Sequence, residues 1–422
     1  MTNSNHFDAI VIGSGIGGLS VAAILSKFNH KKVLILEQHF TIGGFTHDFK
    51  RKGGFCWDVG LHYVGEMATG STGRAVFDYI TDNKLRWTAM PDPFEIFVYP
   101  DFSFPVSTNP QQYQADLIEK FPAEKQGIKR YFTDIKKAAS WYGLYHMLEL
   151  FPSWLRPFVK FFNRRRSKLI RQTTQAYLDQ NFYNHHLKAL LVSQWGTYAL
   201  PPSQSCFGIH ALIVQHYLKG GWYPVGGSQA IAKNILPIIE KAGGRAIAQR
   251  EVTEVILDNG VAVGVKARKS HNPEAEVESY YAPIIISDAG AFNTYTKLIR
   301  DSRVLTYQEQ IKAFPKGYSA ITLYLGLKES PEKLGFRGEN HWIYSHYNHD
   351  MTFAHPTNAD TQTPTSCYLS FPSLKNSEAQ AHTAEVIVFA EYDFFSKWKH
   401  NPWRRRGPEY RTHLVSLHSP VE

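Results

Sequence analysis

The sequence predicts an α/β fold, Rossmann-like and assembled from discontinuous segments, beside an α+β part with a large helical portion. Three observations carry this expectation. First, Phe7 to Ser20, FDAIVIGSGIGGLS, joins a short apolar strand to a helix through Gly13, Gly15 and Gly18, spaced G-x-G-x-x-G. Gly13 lets the chain turn out of the strand, Gly15 lets backbone approach a pyrophosphate, and Gly18 lets the helix pack closely on the sheet. The phosphates then sit on the positive end of the helix. Second, the apolar run VLILE ends in Glu37, nineteen residues past Gly18, where an acid accepts ribose hydroxyls. Third, YYAPIIISDAG is a short continuous apolar run ending in small residues, as expected of a buried parallel strand returning to the first sheet.

Between these anchors, EQHFTIGGFTHDFKRKGGFCWDVGLHYVG is dense in glycine, histidine and aromatics and reads as a connection. From Gln111 to Leu150, apolar residues such as Tyr113, Leu117, Ile118 and Phe121 recur at helical spacing; Pro122 interrupts the pattern and Glu124 opens a new turn. A second helical stretch spans Thr173 to Ser193. Gly226 and Gly227 precede a helix carrying Ile231, Ile235, Ile238 and Ile239, which Gly243 and Gly244 close. AIAQREVTEVILDNG and VAVGVKARK read as two β runs joined at Asp258-Asn259-Gly260, a hairpin signal. YSAITLYLG and EVIVFA read as strands of a second sheet. The resulting division is 1–70 and 221–300 for the nucleotide-binding part, 71–220 mainly helical, 301–410 for the second sheet, and a tail, 411–422, without helical periodicity.

With 422 residues, more than one core is expected. Cys56, Cys206 and Cys367 form no C-x-x-C pair, and the N-terminus has neither a basic region nor an apolar stretch of signal length. Both features point to a reducing, cytoplasmic setting. The net charge of +9 is concentrated in Arg156, Lys160, Arg164, Arg165, Arg166, Lys168 and Arg171, among Phe151, Trp154, Phe158, Phe161 and Phe162. Residues 151–171 are therefore expected to meet a membrane surface peripherally, rings at the headgroup boundary and cations on lipid phosphates. A solvated helix packed on its own domain is the alternative. Nucleic acid is not an expected partner, since no such motif accompanies the basic run. No paired-carboxylate, Ser-His-Asp or metal constellation is evident, and His185-His186 lacks a third ligand.

Glu37-Gln38-His39, Gly43-Gly44, Phe55, Asp58, Gly60, His62, Tyr63 and Gly65 stand in an order that resembles the flavoprotein family of phytoene desaturases, carotenoid isomerases and retinol saturases, closest to its retinol saturase-like branch. The resemblance continues through YPVGGSQAIAKNI, EVTEVILDNG, IIISDAG, NHWIYSHYNHD and FAEYDFFSKWKHNPW, from Phe7 to about Tyr410. It implies FAD held by a glutathione reductase-type fold, and a substrate domain for a hydrophobic polyene. Carried over, Gly13, Ser14, Gly15, Gly17 and Gly18 line the pyrophosphate and Glu37 the adenosine ribose. Gly43, Gly44 and Phe45 follow the dinucleotide towards the flavin, and Val252 meets adenine. His62 and Tyr63 are the candidate catalytic side chains beside the isoalloxazine, a proton donor and an aromatic wall.

The implied chemistry is saturation, desaturation or isomerisation of a carbon-carbon double bond in an isoprenoid lipid, with NAD(P)H as a transient electron donor for saturation. Members of the family continue into a strand and glycine loop that meet the flavin from the other side, and RTHLVSLHSPVE does not follow that pattern. The expectation is a truncated relative with weakened flavin affinity. Its rivals are a non-catalytic, membrane-associated remnant and an amine oxidase-like flavoenzyme. A nicotinamide-only dehydrogenase has no place for Gly43-Gly44 or for Asp58 and Gly60.

Overall fold

The computed structural model describes residues 5–314, 318–357, 363–390, 392–401 and 405–416. At its centre is a parallel four-stranded sheet in the order Ile285–Ser287, Ala9–Ile12 (β1), Val33–Leu36 (β2), Arg245–Ile247. Every residue of β1 and β2 is buried because the sheet is covered on both faces. On one face, Val11 and Ile35 pack with Leu19, Ala22 and Ala23 of helix Ile16–Asn29 (α1) and with Ile231, Ile235 and Ile239 of helix Ala230–Lys241. On the other, Ile10, Ile12, Leu34 and Leu36 meet Val252, Val255, Val265 and Tyr280. The period-two alternation of a strand thus sends successive apolar side chains into two different cores.

That second layer is an antiparallel meander of Arg250–Asp258, Val261–Lys269 and Glu278–Tyr281. Asn259 and Gly260 make its first turn with φ of 48° and 83°, as a tight hairpin requires. The run AIAQREVTEVILDNG is not one strand: Arg245–Ile247 joins the parallel sheet, and Gln249, at φ 56°, redirects the chain into the meander. The returning strand Ile285–Ser287 pairs in parallel with β1 as expected, but as an edge strand it is only partly covered.

A six-stranded mixed sheet forms the second body, in the order Ser319–Leu327, His382–Ala390, Ser366–Ser370, Asn340–Tyr344, Glu95–Val98, Ser103–Val106. Helices pack on it, chiefly Pro110–Lys120, Lys125–Met147 and Phe207–Tyr217, around Tyr131, Trp141, Leu187 and Phe207. Pro110 at the first turn and Asn109 as N-cap start the first helix. The helical stretch expected over Thr173 to Ser193 is two helices, Thr174–Asn181 and His185–Leu191, because Asn184 caps the second through its side chain. The basic run divides at Asn163 into Arg156–Phe162 and Arg164–Arg171. The tail also departs from expectation: Gly407–Ser416 is helical, with Gly407 at φ 86°, Pro408 and Glu409 supplying start signals. Residues 417–422 lie outside the described residues.

Candidate functional site

Residues expected to hold a dinucleotide line one crevice of about 860 Å³, among them Gly13, Ser14, Gly15, Gly17, Glu37, Gly44, Phe45 and Val252. Gly13 has φ 96°, and a Cβ on Gly18 would lie 2.5 Å from Gly13 O, so both positions demand glycine. Glu37 is fixed from several sides. Its Oε2 accepts from the Ser14 N–H at 2.8 Å and the Ser14 hydroxyl at 2.7 Å, and its Oε1 accepts from the His39 N–H at 2.7 Å. The Gly43 N–H donates to Ser14 Oγ at 3.0 Å, so Gly43 acts through Ser14 rather than at the crevice wall. Gly44, at φ 55°, lies so close that a Cβ there would be 2.7 Å from Gly15 Cα. Two glycine signals some thirty positions apart in sequence thereby form one surface.

The crevice leads towards a second space. Phe45 lines the crevice and is largely exposed, and it packs against Gly60, which lines an apolar cavity of about 310 Å³. His62 and Tyr63 both face this cavity, with Tyr217, Trp342, Tyr344 and Tyr368 as aromatic walls. Tyr63 stacks on Tyr217 with ring centroids 4.4 Å apart, and Trp342 meets Tyr368 edge-on at 4.7 Å.

Behind the cavity wall lies a group of ionisable side chains. The Tyr63 hydroxyl and Trp342 Nε1–H donate to Glu95 Oε1, and Gln194 donates to Oε2. Burial pushes the Glu95 carboxyl up to about 7, although these hydrogen bonds and Lys375 pull it down. Burial also raises the Tyr63 phenol well above its usual value, helped by the adjacent Glu95 charge. His62 Nδ1 lies 2.8 Å from Glu385 Oε2, an ion-pair distance at which neither atom is aligned for a hydrogen bond. Glu385 Oε1 accepts from the Asp58 N–H at 2.7 Å. Burial, then the neighbouring Glu385, raises Asp58 to about 6 while the Tyr223 hydroxyl donates to its Oδ2 at 2.6 Å.

Lys375 faces the same acids. Its Nζ donates to His62 O at 2.9 Å, Asn340 Oδ1 at 2.6 Å and Ser370 Oγ at 2.6 Å, three acceptors for the three protons of an ammonium. Burial draws Lys375 down to about 8 against the pull of Glu385, Asp58 and Glu95. The sequence showed no paired carboxylates; the structure corrects this, because the short strand Cys56–Asp58 packs against the strand His382–Ala390 that carries Glu385, and Glu95 of the mixed sheet lies beside Tyr63. A lone acid inside the apolar strand His382–Ala390 was the one local signal.

Residues 11–80 match the NAD(P)-binding Rossmann-like domain. The all-trans-retinol 13,14-reductase of Danio rerio is 32% identical over 96% of this chain and 69% of the relative. That of Homo sapiens is 34% identical over the same shares, 96% and 69%. The chain belongs to the all-trans-retinol 13,14-reductase family. A putrescine oxidase structure, at 14% identity, superposes with a TM-score of 0.60 over 98% of this chain and 81% of its own, which shows a shared fold.

As a member of the all-trans-retinol 13,14-reductase family, the chain is an FAD-type oxidoreductase. Its residues fit a flavin dinucleotide: Gly44, at φ 55°, stands against Gly15 Cα with no room for a Cβ, and the Glu37 carboxylate is fixed by three hydrogen bonds beside the fingerprint turn. Phe45 and Gly60 stand between that crevice and the cavity that His62 and Tyr63 line.

Proposed function

We propose that this chain saturates a carbon-carbon double bond of a polyene isoprenoid lipid, a retinol-like molecule seated in the aromatic cavity. The observation that carries this reading is the Tyr63–Glu95 hydrogen bond at the cavity wall. A carboxyl raised to about 7 still holds its proton near neutrality, so Glu95 serves as the reserve acid behind the Tyr63 hydroxyl. A flavin held in the crevice would supply the hydride, with NAD(P)H as its transient electron donor. With Glu95 protonated the hydrogen bond runs from the Glu95 carboxyl to Tyr63 Oη, which frees the Tyr63 O–H to give its proton to the adjacent carbon and take its replacement from Glu95. His62, with Glu385 behind it, orients the polar end of the substrate. Tyr217, Trp342 and Tyr368 exclude water and match the flat apolar polyene.

The substrate is drawn from a bilayer. Leu150, Trp154, Phe158, Phe161 and Phe162 are exposed, the last at 80%, beside exposed Lys160, Arg164, Arg165 and Arg166. Ile170 is buried and Val159 and Leu169 pack on the helical core, so both short helices are anchored while the rings of Arg156–Phe162 stay exposed. Rings and cations on one face suit peripheral docking to anionic headgroups. Among the described residues no helix is long and apolar enough to cross a membrane.

The test is anaerobic. The flavin-loaded chain, chemically reduced, is mixed with all-trans-retinol; reappearance of oxidised flavin absorbance and a product lacking one double bond are expected. Reoxidation by no polyene, together with reduction of the oxidised chain by putrescine, would replace this reading with an amine oxidase.

A further inference from the structure

The crevice contains an anion of the chain's own. Asp288 follows the edge strand Ile285–Ser287, and its N–H donates to Ile12 O at 2.8 Å, which fixes its backbone beside the fingerprint turn. Its carboxylate lies over the glycines. The point where a Cβ on Gly15 would stand is 2.6 Å from Asp288 Oδ2, that of Gly17 is 2.8 Å from Oδ1, and that of Gly18 is 3.1 Å from Oδ2.

At Gly15 this is the space a G-x-G-x-x-G turn keeps free of side chains so that a pyrophosphate can approach the helix end. A second observation is independent of those distances. Helix α1 has no acidic residue in its first turn, and its N-cap, Gly15, offers no side-chain cap. The first turn of the helix therefore carries no anion of its own, and Asp288, from another element, brings a carboxylate beside it.

We propose that Asp288 is a placeholder: its carboxylate occupies the anion seat of the fingerprint turn, and must swing out when the pyrophosphate of a flavin dinucleotide enters. A carboxylate and a pyrophosphate are both anionic and cannot share the seat without strong repulsion. The exposed side chain is free to rotate about its fixed backbone, and Lys297 and Arg300, which line the same crevice, receive it once displaced. Asp288 thus lowers the affinity for the dinucleotide while it steadies the flavin-free protein. The inference rests on the flavin reading for the identity of the ligand, not for the competition itself.

The experiment titrates the flavin-free chain, as wild type, Asp288→Asn and Asp288→Ala, with FAD, ADP and adenosine, following heat release and flavin fluorescence. Both variants are expected to bind FAD and ADP more tightly, on the order of tenfold, with adenosine unchanged because it carries no phosphate. The flavin-free Asp288→Ala protein is also expected to melt at a lower temperature than wild type. The isosteric Asp288→Asn keeps the comparison interpretable if alanine perturbs the loop. Weaker or unchanged FAD and ADP binding in the variants overturns the proposal, as does an equal gain for adenosine or failure of both phosphate ligands to bind any of the three. If ADP tightens while FAD binds none of the three proteins, the placeholder stands and the flavin reading falls.

Discussion

The Tyr63 hydroxyl donates to the Glu95 carboxylate, so one side chain faces the substrate cavity and also touches a buried acid. Glu95 is raised from the ordinary carboxyl range to about 7 by burial. For proton donation the protonated form is the active one. Saturation is therefore expected to run at a constant kcat below about pH 7 and to fall as pH rises through that value. Glu95→Gln can neither ionise nor supply a proton. It should lower kcat by about 10²- to 10⁴-fold and remove the break in the pH profile. An unchanged break in the variant would assign it to another group.

Gly44 tests how the two glycine signals meet. Its φ of 55° and the 2.7 Å separation between a Cβ added at Gly44 and Gly15 Cα put two penalties on Gly44→Ala, backbone strain and collision with the fingerprint. Strain at such positions costs about 1–3 kcal/mol. Gly70, at φ 85° with nothing within 4 Å, is the control that carries the first penalty alone. Gly44→Ala should weaken FAD binding at least tenfold and lower the melting temperature more than Gly70→Ala does. Equal FAD affinity in the two variants would show that the turn yields to the extra methyl.

The contrast between these two sites explains what was legible in the sequence. The crevice is built from short-range signals: a strand that must be apolar on both faces, glycines that geometry demands, and an acid at a fixed spacing. The hairpin at Asn259-Gly260 was equally local. The proton-handling group is not local. Asp58 and Glu385 are 327 positions apart and meet where the short strand Cys56–Asp58 packs on the mixed sheet, and Glu95 reaches Trp342 across 247 through the pairing of Glu95–Val98 with Asn340–Tyr344; no periodicity reveals either. His62 and Tyr63 were singled out because they stand in the motif run that carries the family resemblance, but their partners Glu385 and Glu95 were hidden in ordinary strands. The same limit applies to AIAQREVTEVILDNG, where one left-handed residue, Gln249, separates two sheets.

Lys375 balances the buried acids, and its removal has a sign that can be worked out. Asp58 at about 6 and Glu95 at about 7 both titrate above the ordinary carboxyl range. Groups raised in this way favour the fold fully at pH values below their unfolded titration and lose that contribution as pH rises through the folded values. Lys375 offsets the loss by attracting the carboxylates once they form. Lys375→Met fills similar space without charge, so it should be mildly destabilising at pH 5 and more strongly so at pH 7, where the acids ionise and Lys375 still holds its proton, by about 3–5 kcal/mol. Urea unfolding at the two pH values measures the difference. A penalty that is the same at both would mean that packing, not charge, is what Lys375 contributes.

The apolar-basic face makes a prediction separable from chemistry. Phe161 and Phe162 are exposed at the end of Arg156–Phe162, immediately before Arg164, Arg165 and Arg166. If the rings enter the headgroup boundary and the cations meet lipid phosphate, the two parts fail differently. Phe161→Ser with Phe162→Ser removes apolar burial, and should reduce binding to vesicles of mixed neutral and anionic phospholipid at every salt concentration. Arg164→Gln, Arg165→Gln and Arg166→Gln together should abolish the preference for anionic over neutral vesicles and flatten the salt dependence, at about 1 kcal/mol per charge near the surface. Neither set touches the cavity, so flavin absorbance and turnover of detergent-dispersed substrate should stay at wild-type levels. Vesicle sedimentation across a salt series reads both effects, and wild-type binding in the serine variant would assign the contact to charge alone.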